Sequence, residues 1–500
     1  MIPARATRLP TLALLLAGVL TLPSHANTDA LIDRLVANGI LTAADARVLR
    51  APDADQDDLI RLLVERGALT SADADALLPP ADPPPERHAG LQYEPTEPLT
   101  PREHVIRANR FRVETADGQH RFGVRGRLQA DYGRGDFDSE LESVAREDGP
   151  LPKHGTIIRR ARLGVLGLMW DDWEWQMEVD FRDNEVRFAN AYLAYLLPQG
   201  RIAVGHFKEP FSLESSTSSR RLTFLERAAP VDALRPDREL GIMYETLMPN
   251  FYIGAGLFGG TGVVSDRDVD EGYAFALRAS FAPYMDDNTF THIGAFYNYR
   301  KNAVDRDAAE LVPVRLRTRT GVRALDLRLI GRDDLLGVDD LQRWGIEGAF
   351  GVGPFSLQGE FLRAEIDLDR RAVEEALGGN ATDANSLTQD GWYIQASYFL
   401  TGEQRNYRPF SGDFGAQQTN TIFGRTGLGA WEVAARFATQ DSREHTRVGR
   451  GQKLDHWTVG LNWYPNPDMV FKLNAMRFKN ERDGESAKGT VFAARAQYEF

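Results

Sequence analysis

Between Arg110 and Phe500, apolar and polar residues alternate with a period of two, in runs bounded by turn residues. WEWQMEVDF (173–181) puts Trp173, Trp175, Met177, Val179 and Phe181 on one face and Glu174, Gln176, Glu178 and Asp180 on the other. Successive strand side chains point to opposite faces, so this run predicts a strand with one apolar and one wet side. Such runs begin with RFGVRGRLQADY (121–132), IIRRARLGVLG (157–167), RFANAYLAYLL (187–197) and RIAVGHF (201–207). They end with GTVFAARAQYEF (489–500) and number about sixteen. An even number of strands of ~9 to 11 residues fits antiparallel closure across a hydrocarbon layer.

The connections supply a second pattern. Tight turns (WDD, PQG, MPN, PYMDDN, Gly353-Pro354, PNPD) alternate with long polar segments at 133–156, 208–238, 301–342 and 367–389. Short turns on one side and long loops on the other are the signature of a bacterial outer-membrane barrel. Segment 402–428 breaks the rule, because it falls on the short side and is long; it reads as an irregular excursion or a miscounted strand. A soluble β-sandwich also alternates. Trp170, Trp173, Trp392, Trp463 and Tyr464 near strand ends, however, fit aromatic girdles at two membrane interfaces. The closing strand then turns Phe492, Tyr498 and Phe500 to lipid and Arg495, Gln497 and Glu499 to water.

The N-terminal part follows different rules. Arg5 and Arg8 precede the apolar run Thr11–Leu22, followed by Ser24-His25-Ala26, which predicts a signal peptide over residues 1–26. LIDRLVANGILTAADARVL (31–49) recurs as LIRLLVERGALTSADADAL (59–77), so residues 27–78 are expected to be a periplasmic helical repeat of two short hairpins, with a weakly ordered spacer as the alternative reading. Each copy has apolar residues at helical spacing, then glycine, then a Thr or Ser cap. Residues 79–109, opening with PPADPPPERHAG, are a proline-rich linker, and 110–500 the barrel. The expected fold class is all-β: a transmembrane antiparallel β-barrel of about sixteen strands, preceded by a small α-helical repeat.

Composition removes several alternatives. The chain has no cysteine, although an exported protein can use disulfides, and its mean hydropathy of -0.38 suits a barrel that hides half of each strand from lipid. The net charge is -13, or -15 without Arg5 and Arg8. This acid balance disfavours nucleic acid as a partner. The nine histidines are scattered without metal-type spacing, no nucleophile elbow is present, and GAGLFGGTG (254–262) lacks the lysine of a phosphate-binding loop. An enzyme is therefore not expected, nor a metal or other cofactor. A soluble periplasmic binding protein would lack the heat-modifiable gel migration of a barrel.

The strings RRARLGVLG, WEWQMEVDF, NAYLAYLLPQGRIAVGHFKEPFSLE, LTFLER, RELGIMYE, YFLTGEQRNY and GLNWYPN occur in this order. They resemble the phosphate-selective porin family (the O and P porins) of Gram-negative outer membranes. The resemblance covers most of 110–500 and implies a homotrimer of sixteen-stranded barrels. It also implies a third outer loop folded into the lumen, with arginines and lysines guiding anions.

Passage of an anion needs cationic side chains along a wet, narrow route, because guanidinium and ammonium groups replace part of its hydration. The alternation turns Arg125, Arg127, Arg160, Arg162, Arg278, Arg436, Lys472 and Arg495 inward, beside Asp131, Glu174, Glu178, Asp180, Glu347, Glu360, Glu432 and Glu499. With both signs on the wall, selectivity falls to the narrowest point. Segment 208–238 offers Lys208, Arg220, Arg221, Arg227, Arg235 and Arg238 against Glu209, Glu214, Glu226, Asp232 and Asp237. Loop 301–342, with Arg315 and Arg317, is expected at the wide outer mouth. Each wall arginine also has a structural reading, as the partner of a neighbouring carboxylate. The expected function is diffusion of small anions, phosphate or polyphosphate, with a weakly selective pore for small hydrophilic solutes as the alternative. Expected partners are outer-membrane lipid, further copies of the chain in a homotrimer, and the barrel-assembly machinery through Phe500.

Overall fold

The computed structural model describes residues 111–500 except 116–118, 142–150, 183–184, 261–268, 306–309, 320, 331–333, 377–384, 449–450 and 483–484, together with scattered positions between Ile32 and Arg66. The expected signal peptide, the linker and most of the helical repeat lie outside the described residues. Within the first unit, Met1–Glu86, backbone is helical at Ile32, Leu35–Ala37, Asp45–Ala46 and Leu62–Val64. Ile32, Leu35, Leu41, Ala46, Leu49 and Leu63 share an apolar cluster. Thr42 and Asp45 cap each other: Thr42 N–H donates to Asp45 Oδ2 (2.8 Å) and Asp45 N–H to Thr42 Oγ1 (3.2 Å).

The second unit, Arg87–Phe500, contains the barrel. Its strands are β1 (Arg121–Phe137), β2 (His154–Met169), β3 (Trp173–Asp180), β4 (Arg187–Leu197), β5 (Gly200–Lys208), β6 (Arg238–Thr246), β7 (Phe251–Gly259) and β8 (Tyr273–Phe281). They continue as β9 (Thr289–Lys301), β10 (Val338–Val352), β11 (Phe355–Leu368), β12 (Ser386–Phe399), β13 (Ala430–Asp441), β14 (Gln452–Asn466), β15 (Met469–Arg482) and β16 (Glu485–Glu499). Each pairs antiparallel with the next, and β16 pairs with β1 from Gly489↔Phe137 to Glu499↔Arg127, which closes the sheet without an edge. All sixteen coincide with the runs legible in the sequence. At the seam, Phe500 exchanges both backbone hydrogen bonds with Gly126, and a short strand, Phe111–Glu114, continues that line against Val124–Arg121.

The facing follows the pattern as well. Trp173, Met177 and Phe181 are exposed on the outer wall while Glu174, Gln176, Glu178 and Asp180 are buried inside; on β16, Phe492 and Tyr498 face out and Arg495, Gln497 and Glu499 face in. The tight turn between β2 and β3 places Trp170 and Asp171 at positive φ (55° and 61°), the left-handed backbone that matches the twist of a hairpin. Segment 400–429 adds no barrel strand. It turns inward and carries the small hairpin Tyr407–Arg408/Asp413–Phe414.

Candidate functional site

Among the described residues, three connections supply side chains to the free space of the lumen. The first, 209–237, has two short helices, α1 (Leu213–Ser216) and α2 (Ala229–Leu234); Ser212 caps α1 and proline stands at the start of α2. The second lies within 302–337 and the third within 400–429. Apolar packing seats the first two against the inner walls of β10–β16. Phe211, Val231, Leu234, Leu316 and Leu335 meet Leu341, Leu362, Ile366 and Leu387, while Val322, Leu325, Leu329 and Ile330 meet Leu454, Met476, Phe478 and Val491. Burying one such side chain contributes about 1.5–3 kcal/mol, so these loops sit in a packed core. Loop 301–342 was expected at the outer mouth; instead its middle lies in the barrel, because its leucines and valines have an apolar inner wall to cover.

The free volume is thereby displaced to the opposite side. A cavity of about 1050 Å³ is lined by the walls of β1 to β7, by 216–237, by Arg315, Arg317, Arg319 and Arg323, and by the tip 408–413 of the third segment. Its lining includes seventeen arginines and one lysine against eight carboxylates, an excess of positive charge in a chain whose net charge is -13.

The sequence-derived cations separate into two groups. Arg125, Arg127, Arg160, Arg162, Lys208, Arg220 and Arg227 line this cavity. Arg125 and Arg162 are paired with Glu178 (2.6 and 2.9 Å), and Arg162 also with Asp180 (2.8 Å). Arg127 donates to Ser219 Oγ (2.9 Å) and Arg160 to Gln129 Oε1 (2.8 Å). Lys208 donates to the carbonyl of Ser215 (2.6 Å) and Arg227 to those of Glu214 and Thr217 (both 2.8 Å). Arg238 donates to Asn190 Oδ1 (3.1 Å). The acceptors of Lys208, Arg227 and Arg238 are neutral, so no hydrogen-bonded carboxylate cancels their charge. Burial and the nearby Arg235 push the Arg227 guanidinium down to about 10.

Arg278, Arg436, Lys472 and Arg495 do not line the cavity; they are struts. Lys472 donates to Leu222 O, Arg495 to Leu225 O (2.5 Å) and Arg436 to Glu226 O (3.1 Å), which ties the first loop to β13, β15 and β16. Arg495 is also held by Asp131 (2.7 Å). Arg278, fully buried, pairs with Glu347 (2.7 Å) and donates to Gly412 O (2.5 Å), which fixes the third segment. His292 adds a second tie, Nδ1 to Tyr407 OH (2.7 Å) and Nε2 to Glu347 (3.0 Å).

A second, much smaller space adjoins the cavity at Arg220. Arg220 lines the cavity on one side and, on the other, a chamber of about 20 Å³ with Arg221, Arg405, Glu432, Tyr464 and Glu499. Arg220 thus stands between the two spaces, and we call that border the neck. Burial pushes the Arg221 guanidinium down to about 10, partly offset by Glu499.

Several lining cations escaped the sequence reading. Arg159 faces the lumen beside Arg160 because β2 carries a bulge: Gln129 pairs with Arg160 and Ala130 with Ile158, leaving Arg159 as the extra residue. It makes a two-pronged pair with Glu226 (2.6 and 3.0 Å). The available signal for the loop cations was VRLRTRTGVR (314–323), where arginines recur at every second position from 315 to 319. Arg201, on the inner face of β5, pairs with Glu174 (2.7 Å) and Glu245 (2.6 Å). Among the described residues no cluster of His, Asp or Glu is suited to a metal ion.

Comparison with known proteins places this geometry. Residues 122–500 match the family described as phosphate-selective porin O and P. Porin O of Pseudomonas aeruginosa is 27% identical over 429 residues, 78% of this chain and 90% of that protein. An uncharacterized protein of Caulobacter vibrioides is 28% identical over 402 residues, 79% of this chain and 73% of that one. Among solved structures, outer-membrane expressed OmpT of Vibrio cholerae aligns with 76% of this chain and 98% of its own at 12% identity and a TM-score of 0.46. The anion-selective porin from Comamonas acidovorans aligns with 76% and 100% at 13% identity and a TM-score of 0.45. The chain belongs to the phosphate-selective porin O and P family, and is a channel of the Gram-negative outer membrane, not an enzyme.

Proposed function

We propose that the pore conducts small anions, phosphate among them, through the cation-lined side of the lumen. The observation that carries this reading is the charge balance of the 1050 Å³ cavity, eighteen cationic side chains against eight carboxylates. Lys208, Arg227 and Arg238, whose hydrogen bonds go to neutral acceptors, add uncancelled positive charge to its lining. Field lines focus in a narrow passage with low-dielectric walls, so charge there acts on permeation more than charge at an open mouth. Arg125, Arg127, Arg160, Arg162, Arg220 and Arg221 belong to this route; Arg278, Arg436, Lys472 and Arg495 hold its walls in place.

The test is the zero-current potential of single channels in planar bilayers across a potassium chloride gradient, repeated with phosphate added to one side. Anion preference with a chloride current that phosphate reduces supports the reading. A potential near zero, unchanged by phosphate, would favour the weakly selective porin, for which the paired arginines Arg125, Arg162 and Arg201 argue. The family name supports phosphate as the class, and the active form proposed with it is a homotrimer, to be read from cross-linking in detergent. For the N-terminal part we propose removal of residues 1–26 on export and a periplasmic repeat over 27–78, testable by sequencing the mature N-terminus.

A further inference from the structure

We propose that Glu499, on the closing strand, is a built-in competitor for the neck arginines and sets how long an anion stays there. The inference rests on the anion-pore reading and names a specificity-determining residue within it. Glu499 Oε2 accepts from Arg220 Nη1 at 3.0 Å, and its other oxygen accepts from Arg221. The carboxylate is buried and reaches only the smaller chamber, whereas Arg220 reaches both the chamber and the large cavity.

An anion moving from the cavity to the chamber therefore meets two guanidiniums whose forks already hold a carboxylate. Carboxylate and phosphate oxygens use the same donors, so the incoming anion has to share them or displace Glu499. Conduction requires binding favourable enough to enter and weak enough to leave. The two arginines alone would hold an anion long; with Glu499 between them, each dwell is cut short. The loop does not depend on this carboxylate for its place. Gln497 donates to Arg220 O (3.2 Å), Asn462 to Thr223 O (2.8 Å) and Arg495 to Leu225 O (2.5 Å). The Glu499 backbone is itself held by Asp468 O (2.9 Å). Glu499→Gln thus removes a charge and leaves the scaffold tied.

The experiment compares wild type, Glu499→Gln and the double variant Glu499→Gln with Arg221→Gln in planar bilayers. It reads the anion-to-cation permeability ratio and the phosphate concentration at half-maximal current. Glu499→Gln should raise the ratio and lower the half-saturating concentration, each by about threefold or more in dilute salt. The double variant, with the wild-type net charge at the neck, should return both toward wild type. Because residue 499 adjoins the closing end of the barrel, poor insertion of the variant is answered by refolding it from inclusion bodies into detergent before recording. An anion-preferring wild type with a Glu499→Gln channel of equal ratio and equal half-saturation overturns the assignment of Glu499. A wild type without anion preference overturns the pore reading instead, so the two failures are distinguishable.

Discussion

Arg159 and Arg160 are sequence neighbours on one strand, and both point into the lumen. The bulge opposite Gln129 and Ala130 makes this possible, and it puts Ile158 on the lipid side. Glu226 of the first loop gains from it, receiving both prongs of Arg159 and lying within 3.8 Å of Arg160.

The chain has no cysteine, so single cysteines report facing without background. Arg159→Cys and Arg160→Cys should both react with a charged, water-soluble thiol reagent in the intact barrel, and Ile158→Cys should not. Strict alternation forbids this outcome, since it places 158 and 160 on one face. Reaction at 160 without reaction at 159 would remove the bulge.

Glu226 gives the first loop a defined response to acid. Burial pushes its carboxyl up, but the guanidiniums of Arg159, Arg160 and Arg495 outweigh burial and hold it well below its ordinary value of 4.5. A depressed carboxylate contributes stability that is complete above the unfolded value and disappears as pH falls through the folded one. The temperature at which the barrel loses heat-modifiable migration should therefore be steady above about pH 5 and fall below pH 4.5. Glu226→Gln should start lower and lose part of that slope. Identical slopes would place the acid sensitivity elsewhere.

Arg278 and Glu347 fasten the third luminal segment. Removing one member of a buried pair strands the other charge and costs about 3–5 kcal/mol. Arg278→Met should accordingly lower thermal stability and, by freeing the carbonyls of Ser411 and Gly412, raise single-channel conductance. Unchanged conductance in a correctly inserted variant would show that this segment does not limit the pore.

Two arginines of the second loop differ in their surroundings. Arg315 is exposed and paired with Asp334 (3.0 Å), whereas burial, with the nearby Arg328, Arg319 and Arg315, pushes the Arg317 guanidinium down from the usual range. In dilute salt, Arg317→Gln should reduce anion conductance more than Arg315→Gln, and the contrast should shrink as screening increases. Equal effects at all salt concentrations would count against a local field at Arg317.

The seam depends on a missing side chain. A Cβ on Gly126 would lie 2.2 Å from the Phe500 ring, while one on Gly348 would find its nearest neighbour at 3.7 Å. Gly126→Ala should reduce the yield of heat-modifiable barrel, and Gly348→Ala should be tolerated. Normal assembly of Gly126→Ala would mean that the closing ring is free to move.

How far the sequence could be read depended on whether a feature repeats locally. Strand number and facing repeat at every second residue, so Trp173 to Phe181 on β3 disclosed both. The bulge at Arg159 is a single departure from that period and leaves no mark in composition. The roles of Arg278, Arg436, Lys472 and Arg495 were illegible for another reason: each is decided by a carbonyl far along the chain, at Gly412, Glu226, Leu222 and Leu225. A strut and a filter arginine look alike until the partner is known. The luminal position of the second loop is not legible because the alternation predicts wet inward faces, whereas Leu341, Leu362, Ile366 and Leu387 make one of them apolar.

That apolar inner wall changes what the sixteen strands mean for flow. Strand number fixes the circumference of the wall, but the packing of Leu316, Val322, Leu325 and Ile330 against β10–β16 withdraws part of the enclosed cross-section from water. The water-filled bore of this barrel is therefore narrower than its strand number suggests and set off its axis, beside β1 to β7, while the walls of β10 to β16 seat the loops.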